Sequence, residues 1–222
     1  MVAENRMKTF CTLATLCLIA VTGFGQNSYK RVDLVSDQFG AAHRTDPSLI
    51  NPWGIQIREH GTIALAESGS DRLTLRNKRG RLKRAAITLP ASAEPTGIVQ
   101  NFGQDFPVSD GTHTAPARLI TVTRAGSIIG WTPDLNQFAA YVAVDHSTNG
   151  AVYTGVTRGS VGGAEYLYVA NFHAGVVEIY DGNFQLLDTF TDDALPNGYA
   201  PFNVRVIHDK LFVTFAKQLA PA

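Results

Sequence analysis

The chain has 222 residues, of which 45% are hydrophobic, and this suits one sizeable globular domain rather than a disordered protein. Basic and acidic side chains each number 19, so no overall electrostatic field favours nucleic acid or an anionic membrane. The sequence contains no G-x-x-x-x-G-K-[ST] loop, no dinucleotide fingerprint and no G-x-S-x-G elbow. It therefore carries none of the common nucleotide-binding or serine-hydrolase signatures.

The first predicted element is a signal-peptide helix over residues 1–25. Arg6 and Lys8 precede an uncharged run over residues 10–21, and small residues follow up to a predicted cut before Gln26. The run is too short and wrongly flanked for a membrane-spanning helix. We expect an exported protein, whether secreted, periplasmic or on the cell surface, with no membrane span after cleavage.

Both cysteines, Cys11 and Cys17, fall inside this predicted signal peptide. A lipoprotein needs a small residue before its cysteine, but these follow Phe10 and Leu16, which disfavours lipidation. The mature chain then has no disulfide and no thiolate metal site. Its stability must come from core packing and strand pairing.

The rest of the chain repeats one pattern of four short strands. The first strand of each copy begins at Asn51, Glu94, Val152 and Pro201, and contains a pivot residue, which is Gly54, Gly97, Gly155 or Asn203. A glycine at the pivot lets innermost strands approach where a Cβ would collide. The pattern predicts an antiparallel meander of the size of one propeller blade.

The copies give an all-β β-propeller of about three and a half four-stranded blades. The predicted blades cover residues 51–90, 94–145, 151–191 and 200–218, and the last has only two strands. Since propellers close with four to eight blades, the chain resembles the front part of a longer protein, and a strand over residues 29–35 is the candidate for completing the last blade. The alternative is a two-sheet sandwich, which does not require one four-strand pattern to recur.

The turn at Asp181-Gly182-Asn183 admits two interpretations. It resembles the start of a calcium loop, but it lacks the acidic ligand twelve positions along. A type I′ hairpin turn explains these residues better.

The motifs "NPWGI", "PTGIV", "GSIIGW", "LYVANFHAGVVEIYDGNF" and "LPNGYAPFNV" resemble an uncharacterised family of exported bacterial proteins with NHL-like repeats. The resemblance runs from about Val32 to Gln218 and implies a six-bladed propeller. It implies no catalytic activity. Members are usually longer than this chain, and some carry a C-terminal surface-sorting segment. The chain departs from the family by ending soon after "TFAKQ" and by a far more basic first blade.

Propellers bind ligands at the axial mouth, on loops that lead into the innermost strands. The candidate ligand-binding residues at this position are Asn51, Trp53, Glu94, Thr96, Tyr153, Phe202 and Asn203, and they do not form a catalytic set. Glu94 is the one carboxylate directly at a pivot, whereas a metal-assisted hydrolase would need several ligands to converge. The six histidines show no i, i+4 pair or His-x-His cluster. We predict no catalytic residue, metal or cofactor.

A basic run follows in the first blade. Its candidates for contact with an anionic polymer are Arg76, Lys78, Arg79, Arg81, Lys83 and Arg84, with Arg72 just before them. The alternative is a solvated rim that blunts an edge strand. Without interleaved aromatic residues the run does not indicate nucleic acid.

These observations favour an exported, non-enzymatic binding or scaffold protein. Its partner would be an envelope or extracellular polymer or protein, or a ligand on a propeller face. The alternatives are a metal-assisted propeller hydrolase or lyase that uses Glu94, and a truncated product with no activity of its own.

Overall fold

The computed structural model describes residues 29–219, and the predicted signal peptide lies outside them. The chain divides into two units, Met1–Val32 and Asp33–Ala222, and all the sheets belong to the second. Between residues 29 and 219 the regular structure is β-strand with three short 3-10 turns and no α-helix, which confirms the all-β prediction. No helix in this range is long and apolar enough to cross a membrane.

The first two complete sheets, blades 1 and 2, are antiparallel meanders. Blade 1 has the order β1-β2-β3-β4, with strands β1 (Pro52–Ile57), β2 (Ile63–Glu67), β3 (Arg72–Arg76) and β4 (Ile87–Thr88). Blade 2 consists of the strands β5 (Pro95–Gln100), β8 (Leu119–Thr123), β9 (Ser127–Trp131) and β10 (Tyr141–Asp145). A separate hairpin of β6 (Pro107–Ser109) and β7 (Thr114–Pro116) lies between β5 and β8 in the chain. The order of blade 2 is β10-β9-β8-β5.

Blade 3 repeats the meander, and blade 4 has two strands. Blade 3 has the order β11-β12-β13-β14, with strands β11 (Tyr153–Val161), β12 (Ala164–Asn171), β13 (Val176–Tyr180) and β14 (Leu186–Phe190). Blade 4 is the hairpin of β15 (Tyr199–Ile207) and β16 (Lys210–Lys217). The predicted recurrence of four-stranded sheets is confirmed, and this serial arrangement of blades is that of a β-propeller.

The pivot glycines lie where the first strands of consecutive blades meet. A Cβ on Gly97 would stand 2.6 Å from the Val156 backbone nitrogen, and one on Gly155 would stand 2.8 Å from the Asn203 Cα. A Cβ on Gly54 would overlap the Thr96 carbonyl oxygen. The predicted reason for glycine at the pivot is therefore confirmed: a side chain there would push adjacent blades apart.

The hydrophobic core lies between successive blades. Blades 1 and 2 enclose a cluster around Leu73, Ile129 and Trp131, and blades 2 and 3 enclose a larger one around Ile120 and Leu167. The cluster between blades 3 and 4 has three fully buried members, Ala170, Val177 and Val204, among the described residues. Blade 4 is therefore the least covered of the four sheets.

Three details of the sequence interpretation differ from the structure. The strand predicted over residues 29–35 does not form, because the local loop satisfies its own hydrogen bonds: Ser36 makes an isolated bridge to Thr45. The hairpin of β6 and β7 is an insertion in blade 2 that the repeat pattern does not contain. The fourth strand of blade 1 is shorter than its predicted apolar run, since only Ile87–Thr88 form a strand beside β3 and Leu82 makes an isolated bridge to Arg76.

The turn after β13 is not type I′. That type requires a positive φ at both central residues, but here the positive φ belongs to Phe184, at 61°. The Asp181 carboxylate accepts hydrogen bonds from the backbone amides of Asn183 and Gln185, both at 2.8 Å. Asp181 therefore stabilises the turn through its side chain.

Candidate functional site

The first strands of all four blades line a single axial cavity of about 240 Å³. This space is large enough for ordered water or a small ligand. The lining is mixed, with backbone and small apolar side chains interrupted by a few polar groups: Trp53, Gly54, Ile55, Gly97, Ile98, Thr154, Val156, Asn203, Val204 and Arg205. The close packing at the pivots holds these strands together and so forms the cavity in advance of any ligand.

One polar group in this lining is buried and unsatisfied. Thr154 is 4% exposed, and its hydroxyl has no hydrogen-bond partner among residues 29–219. Thr96 occupies the equivalent position in blade 2, directly before the pivot, and its hydroxyl donates to the Tyr153 carbonyl oxygen at 2.8 Å. An unpaired buried hydroxyl costs about 1–3 kcal/mol, so a hydrogen-bonding group in the cavity would stabilise it.

The cavity mouth carries three aromatic rings in contact. The ring centroids of Trp53 and Phe202 are 6.0 Å apart, and Phe172 meets Phe202 edge-on at 5.7 Å. Trp53 is 38% exposed, so its indole remains open to solvent. Rings from blades 1, 3 and 4 thus come together at one place, which makes the mouth apolar on this side.

Two further polar side chains face the cavity from blade 4. The Asn203 Oδ1 accepts a hydrogen bond from the Val204 backbone amide at 2.8 Å. The Asn203 Nδ2 makes no hydrogen bond within the described part of the chain. Arg205 is exposed and makes no ion pair among residues 33–219. The cavity therefore offers hydrogen-bond donors from a hydroxyl, an amide and a guanidinium.

The predicted axial residues divide into two groups. Trp53 and Asn203 line the cavity, and Phe202 reaches its mouth through the ring contact with Trp53. Thr96 and Tyr153 do not line it: both are 0% exposed, because their side chains turn into the sheet packing. For these two residues the prediction of ligand contact is wrong.

The other two predicted residues shape the loops before the strands. Asn51 and Glu94 both adopt a left-handed conformation, with φ of 47° and 51°. The Glu94 carboxylate forms an ion pair with Arg124 at 3.0 Å, with both side chains about half exposed. Glu94 is thus engaged outside the cavity lining.

Thr154 and Arg205 were missed by the sequence interpretation. Thr154 directly precedes the pivot Gly155, as Trp53 precedes Gly54, so aligning the repeats would have found it. Arg205 lies two residues beyond its pivot, Asn203. Since side chains alternate between the two faces of a strand, both residues lie on the face of β15 that lines the cavity. No pattern in the sequence marks Arg205.

A buried polar network lies within blade 3, apart from the cavity. The Glu178 carboxylate, 6% exposed, accepts hydrogen bonds from Asn171 Nδ2 at 2.7 Å and from the Tyr153 hydroxyl at 2.9 Å, and also from Tyr180. The Tyr153 hydroxyl lies 2.8 Å from His146 Nδ1. Burial is the main cause that raises the pKa of both tyrosines, and the negative charge of Glu178 adds to it.

A second charged network covers the outward face of blade 1. Glu67 is fully buried and accepts hydrogen bonds from Arg72 and from Thr74 Oγ1, the latter at 2.5 Å. Asp46 reaches this face from the preceding loop and pairs with Arg76. Partial burial raises the pKa of Asp46, but the Arg76 hydrogen bond, the Ser48 amide and the charges of both arginines outweigh it, so that the pKa is lowered.

The predicted polymer-binding residues differ in exposure. Arg76 is 3% exposed and paired with Asp46, so the structure contradicts its place on an open basic rim. Lys83 donates to the Thr62 hydroxyl at 3.0 Å, and Arg84 lies over the Trp131 ring. The exposed members are Lys78, Arg79, Arg81 and Lys83.

Within residues 29–219, no group of three or more His, Cys, Asp or Glu side chains is arranged to hold a metal ion. The histidines are spread over separate loops of the sheets. His146 is used by the buried network in blade 3, and His113 lies 3.7 Å from Asp110 in the exposed β6–β7 turn.

No protein-family profile matches the chain. Two uncharacterised proteins of Acanthamoeba polyphaga mimivirus are similar to it. R648 is 29% identical over 83% of the chain, and L690 is 27% identical over 96% of it. The chain spans 48% of the length of R648 and 61% of that of L690, so it matches only part of each relative.

Among solved structures, the chain is similar to virginiamycin B lyase and to a streptogramin B lyase. Virginiamycin B lyase from Staphylococcus aureus has a TM-score of 0.54 at 15% identity, over 74% of this chain and 48% of the lyase. A streptogramin B lyase has a TM-score of 0.51 at 17% identity, over 77% of this chain and 55% of that one. At this level of identity the likeness shows the fold alone, and that fold is the β-propeller.

Proposed function

We propose that this chain belongs to an exported, non-enzymatic β-propeller protein that binds a small polar ligand in its axial cavity. The observation that carries the proposal is Thr154, which is 4% exposed and lines the cavity, and whose hydroxyl has no hydrogen-bond partner among the described residues. A ligand oxygen or nitrogen that accepted or donated a hydrogen bond there would remove the cost of the unpaired group.

The remaining lining supports a small polar ligand with an apolar face. Trp53 offers an open ring surface at the mouth, while Asn203 and Arg205 offer donors in the lining. Such a mixture of a few fixed polar groups with apolar walls is typical of small-molecule sites. Export rests on the predicted signal peptide and on the family resemblance.

No observation favours the metal-assisted hydrolase or lyase over binding. The proposed metal ligand Glu94 is held by Arg124 at 3.0 Å and is not part of the cavity lining. The similarity to lyases concerns the fold, which hosts many functions. We propose the same role, ligand binding without catalysis, for any longer protein that contains this chain.

A thermal-shift panel of monosaccharides, disaccharides, amino acids and small carboxylic acids would test the proposal. We expect at least one class of compound to stabilise the chain, and Thr154→Val to weaken its binding about tenfold, or ~1.4 kcal/mol. Thr189→Val, an exposed position on β14, is the matched control and should bind as the parent does. If no compound stabilises the parent, or if both variants bind equally well, the axial site is not the ligand site.

A further inference from the structure

A second cleft, of about 440 Å³, lies beside blade 1 and is separate from the axial cavity. One wall is the loop over residues 35–47, and the other is the turn that connects β3 to β4. Three arginines contribute to it together with apolar and polar neighbours, and the full lining is Val35, Arg44, Thr45, Asp46, Pro47, Arg76, Gly80, Arg81 and Leu82.

The two walls of the cleft are fixed to each other. Arg44 Nε donates to the Arg79 carbonyl oxygen at 3.1 Å, so the loop is tied to the turn. A Cβ on Gly80 would stand 2.6 Å from Val35 Cγ2, which shows how closely the two segments approach. The cleft is therefore already formed in the unbound protein.

The charges in and behind the cleft do not balance. The carboxylates of Asp46 and Glu67 are matched by the guanidinium groups of Arg76 and Arg72. Arg44 and Arg81 line the same cleft and form no ion pair among residues 33–219. Two positive charges are thus left uncompensated.

Arg76 adds a directional group to this positive charge. The residue is 3% exposed, lines the cleft, and its Nε has no hydrogen-bond partner among the described residues. A buried guanidinium nitrogen without an acceptor is costly, and an anionic oxygen in the cleft would satisfy it.

The positive surface continues beyond the cleft. Lys78 and Arg79 follow on the exposed turn, and neither forms an ion pair within residues 33–219. A single small ion in the cleft would leave these two side chains unused, whereas a chain of anionic groups would reach them. Since no aromatic side chain lines the cleft, base stacking has no surface there.

We propose that this cleft binds the sulfate, phosphate or carboxylate groups of an acidic polysaccharide, with Arg44, Arg76 and Arg81 around one anionic group and Lys78 and Arg79 along the next. The proposal corrects the sequence interpretation in two ways. It adds Arg44, which lies far from the basic run in sequence, and it assigns Arg76 to the floor of the cleft rather than to an open rim.

Heparin serves as the probe polymer, and binding is measured by calorimetry at about 0.1 M salt, where screening is incomplete. The double variant Arg44→Gln/Arg81→Gln should weaken heparin binding by at least about tenfold, because two charge-assisted contacts are lost. The slope of log K against log salt concentration should become shallower, because binding releases about two fewer counterions. Thr154→Val should leave heparin binding unchanged, which separates this proposal from the axial one.

A second double variant, Lys210→Gln/Lys217→Gln, removes two exposed charges from blade 4 and is the matched control. Equal loss of binding in both doubles would show a response to net charge alone and would overturn the proposal. Tighter binding to anionic vesicles or to single-stranded RNA than to heparin would also overturn the proposal. The same holds if inorganic sulfate alone binds as tightly as heparin does. Melting curves of both doubles verify that they are folded.

Discussion

The Thr96 hydroxyl of blade 2 donates a hydrogen bond to the Tyr153 carbonyl oxygen of blade 3, 2.8 Å away, and lies 3.1 Å from the Val122 carbonyl oxygen of its own blade. Thr96 is 0% exposed, so these contacts are shielded from water. The same position in blade 3 is Thr154, whose hydroxyl has no such partner within residues 29–219. Two equivalent threonines in adjacent blades therefore have different roles, one in joining blades and one in the cavity.

Substitution by valine should affect these two threonines in opposite directions. Thr96→Val removes a buried donor and leaves two carbonyl oxygens less satisfied, so we expect a loss of about 1–3 kcal/mol in the free energy of unfolding. Thr154→Val removes a hydroxyl that has no hydrogen bond within residues 29–219, so stability should stay equal or rise by up to about 1 kcal/mol. Urea unfolding of both variants measures the difference, and a loss at Thr154 as large as that at Thr96 would contradict its assignment to the cavity.

Gly155→Ala should separate blades 3 and 4. The new Cβ would stand 2.8 Å from the Asn203 Cα and still nearer to its side-chain oxygen, so the strands must move. We expect a loss of about 1–3 kcal/mol, the range for overpacked sites. Gly103→Ala is the control, since its Cβ would meet nothing closer than 3.1 Å. Equal unfolding curves for the two variants would show that the pivot needs no glycine.

The blades and pivots could be predicted from the sequence because each depends on local information. Alternating apolar residues and turn residues define the strands, and Gly54, Gly97 and Gly155 mark where backbones approach. The hairpin at Pro107–Pro116 escaped prediction, since an insertion breaks the repeat without a pattern of its own.

The candidate site was predicted less well, for a geometric reason. The repeat gives the level of a residue along the propeller axis, but not the side of the inner strand on which its side chain lies. Trp53 faces the cavity, whereas the equivalent Thr96 turns into the next blade. Arg76 likewise seemed open because its partner Asp46 lies 30 residues away in sequence.

The Asp46 ion pair should make stability depend on acid pH. The pKa of Asp46 is lowered in the folded state, so its contribution is complete above the unfolded value, near 3.8, and is lost as the pH falls through the folded pKa. Asp46→Asn should lower the free energy of unfolding by about 2 kcal/mol at neutral pH. The difference from the parent should shrink below about pH 4.

Denaturant unfolding at neutral and acid pH measures this difference. Asp209→Asn, an exposed position in the β15–β16 turn, is the control and should track the parent at every pH. A constant gap between Asp46→Asn and the parent down to the acid end would show that the Asp46 charge is not the source of the stabilisation.

The blade 3 network should delay tyrosine ionisation. Burial raises the pKa of Tyr153 and Tyr180 above the ordinary 10.0, so the folded state keeps both protons. Their stabilising contribution is complete below that unfolded value and is lost as the pH rises above it. In an alkaline absorbance titration we expect at least two of the seven tyrosines to ionise only as the protein unfolds.

The double variant Tyr153→Phe/Tyr180→Phe should remove this delayed step from the titration. Its unfolding curve at neutral pH shows whether the fold is retained. If all phenols of the parent ionise while its fold remains intact, the two hydroxyls are not buried as the network requires.

Strand β16 should mediate self-association of this chain. Within the described residues it pairs only with β15, and Phe212 beside that edge is 51% exposed. An unpaired edge with apolar neighbours recruits further strands. Sedimentation velocity at low micromolar concentration should show oligomers, and Phe212→Lys should shift them toward monomer. Leu187→Lys on β14 is the control, and an equal shift there would remove the special role of β16.

Tryptophan quenching tests the axial site most directly. The chain has two tryptophans, and Trp131 is 2% exposed, so iodide should quench chiefly Trp53 at the cavity mouth. A compound that stabilises the protein in the ligand panel should shield Trp53 from iodide, with half-protection at the concentration that gives half-maximal stabilisation. Saturation with such a compound while Trp53 remains equally quenchable would contradict binding at the axial mouth.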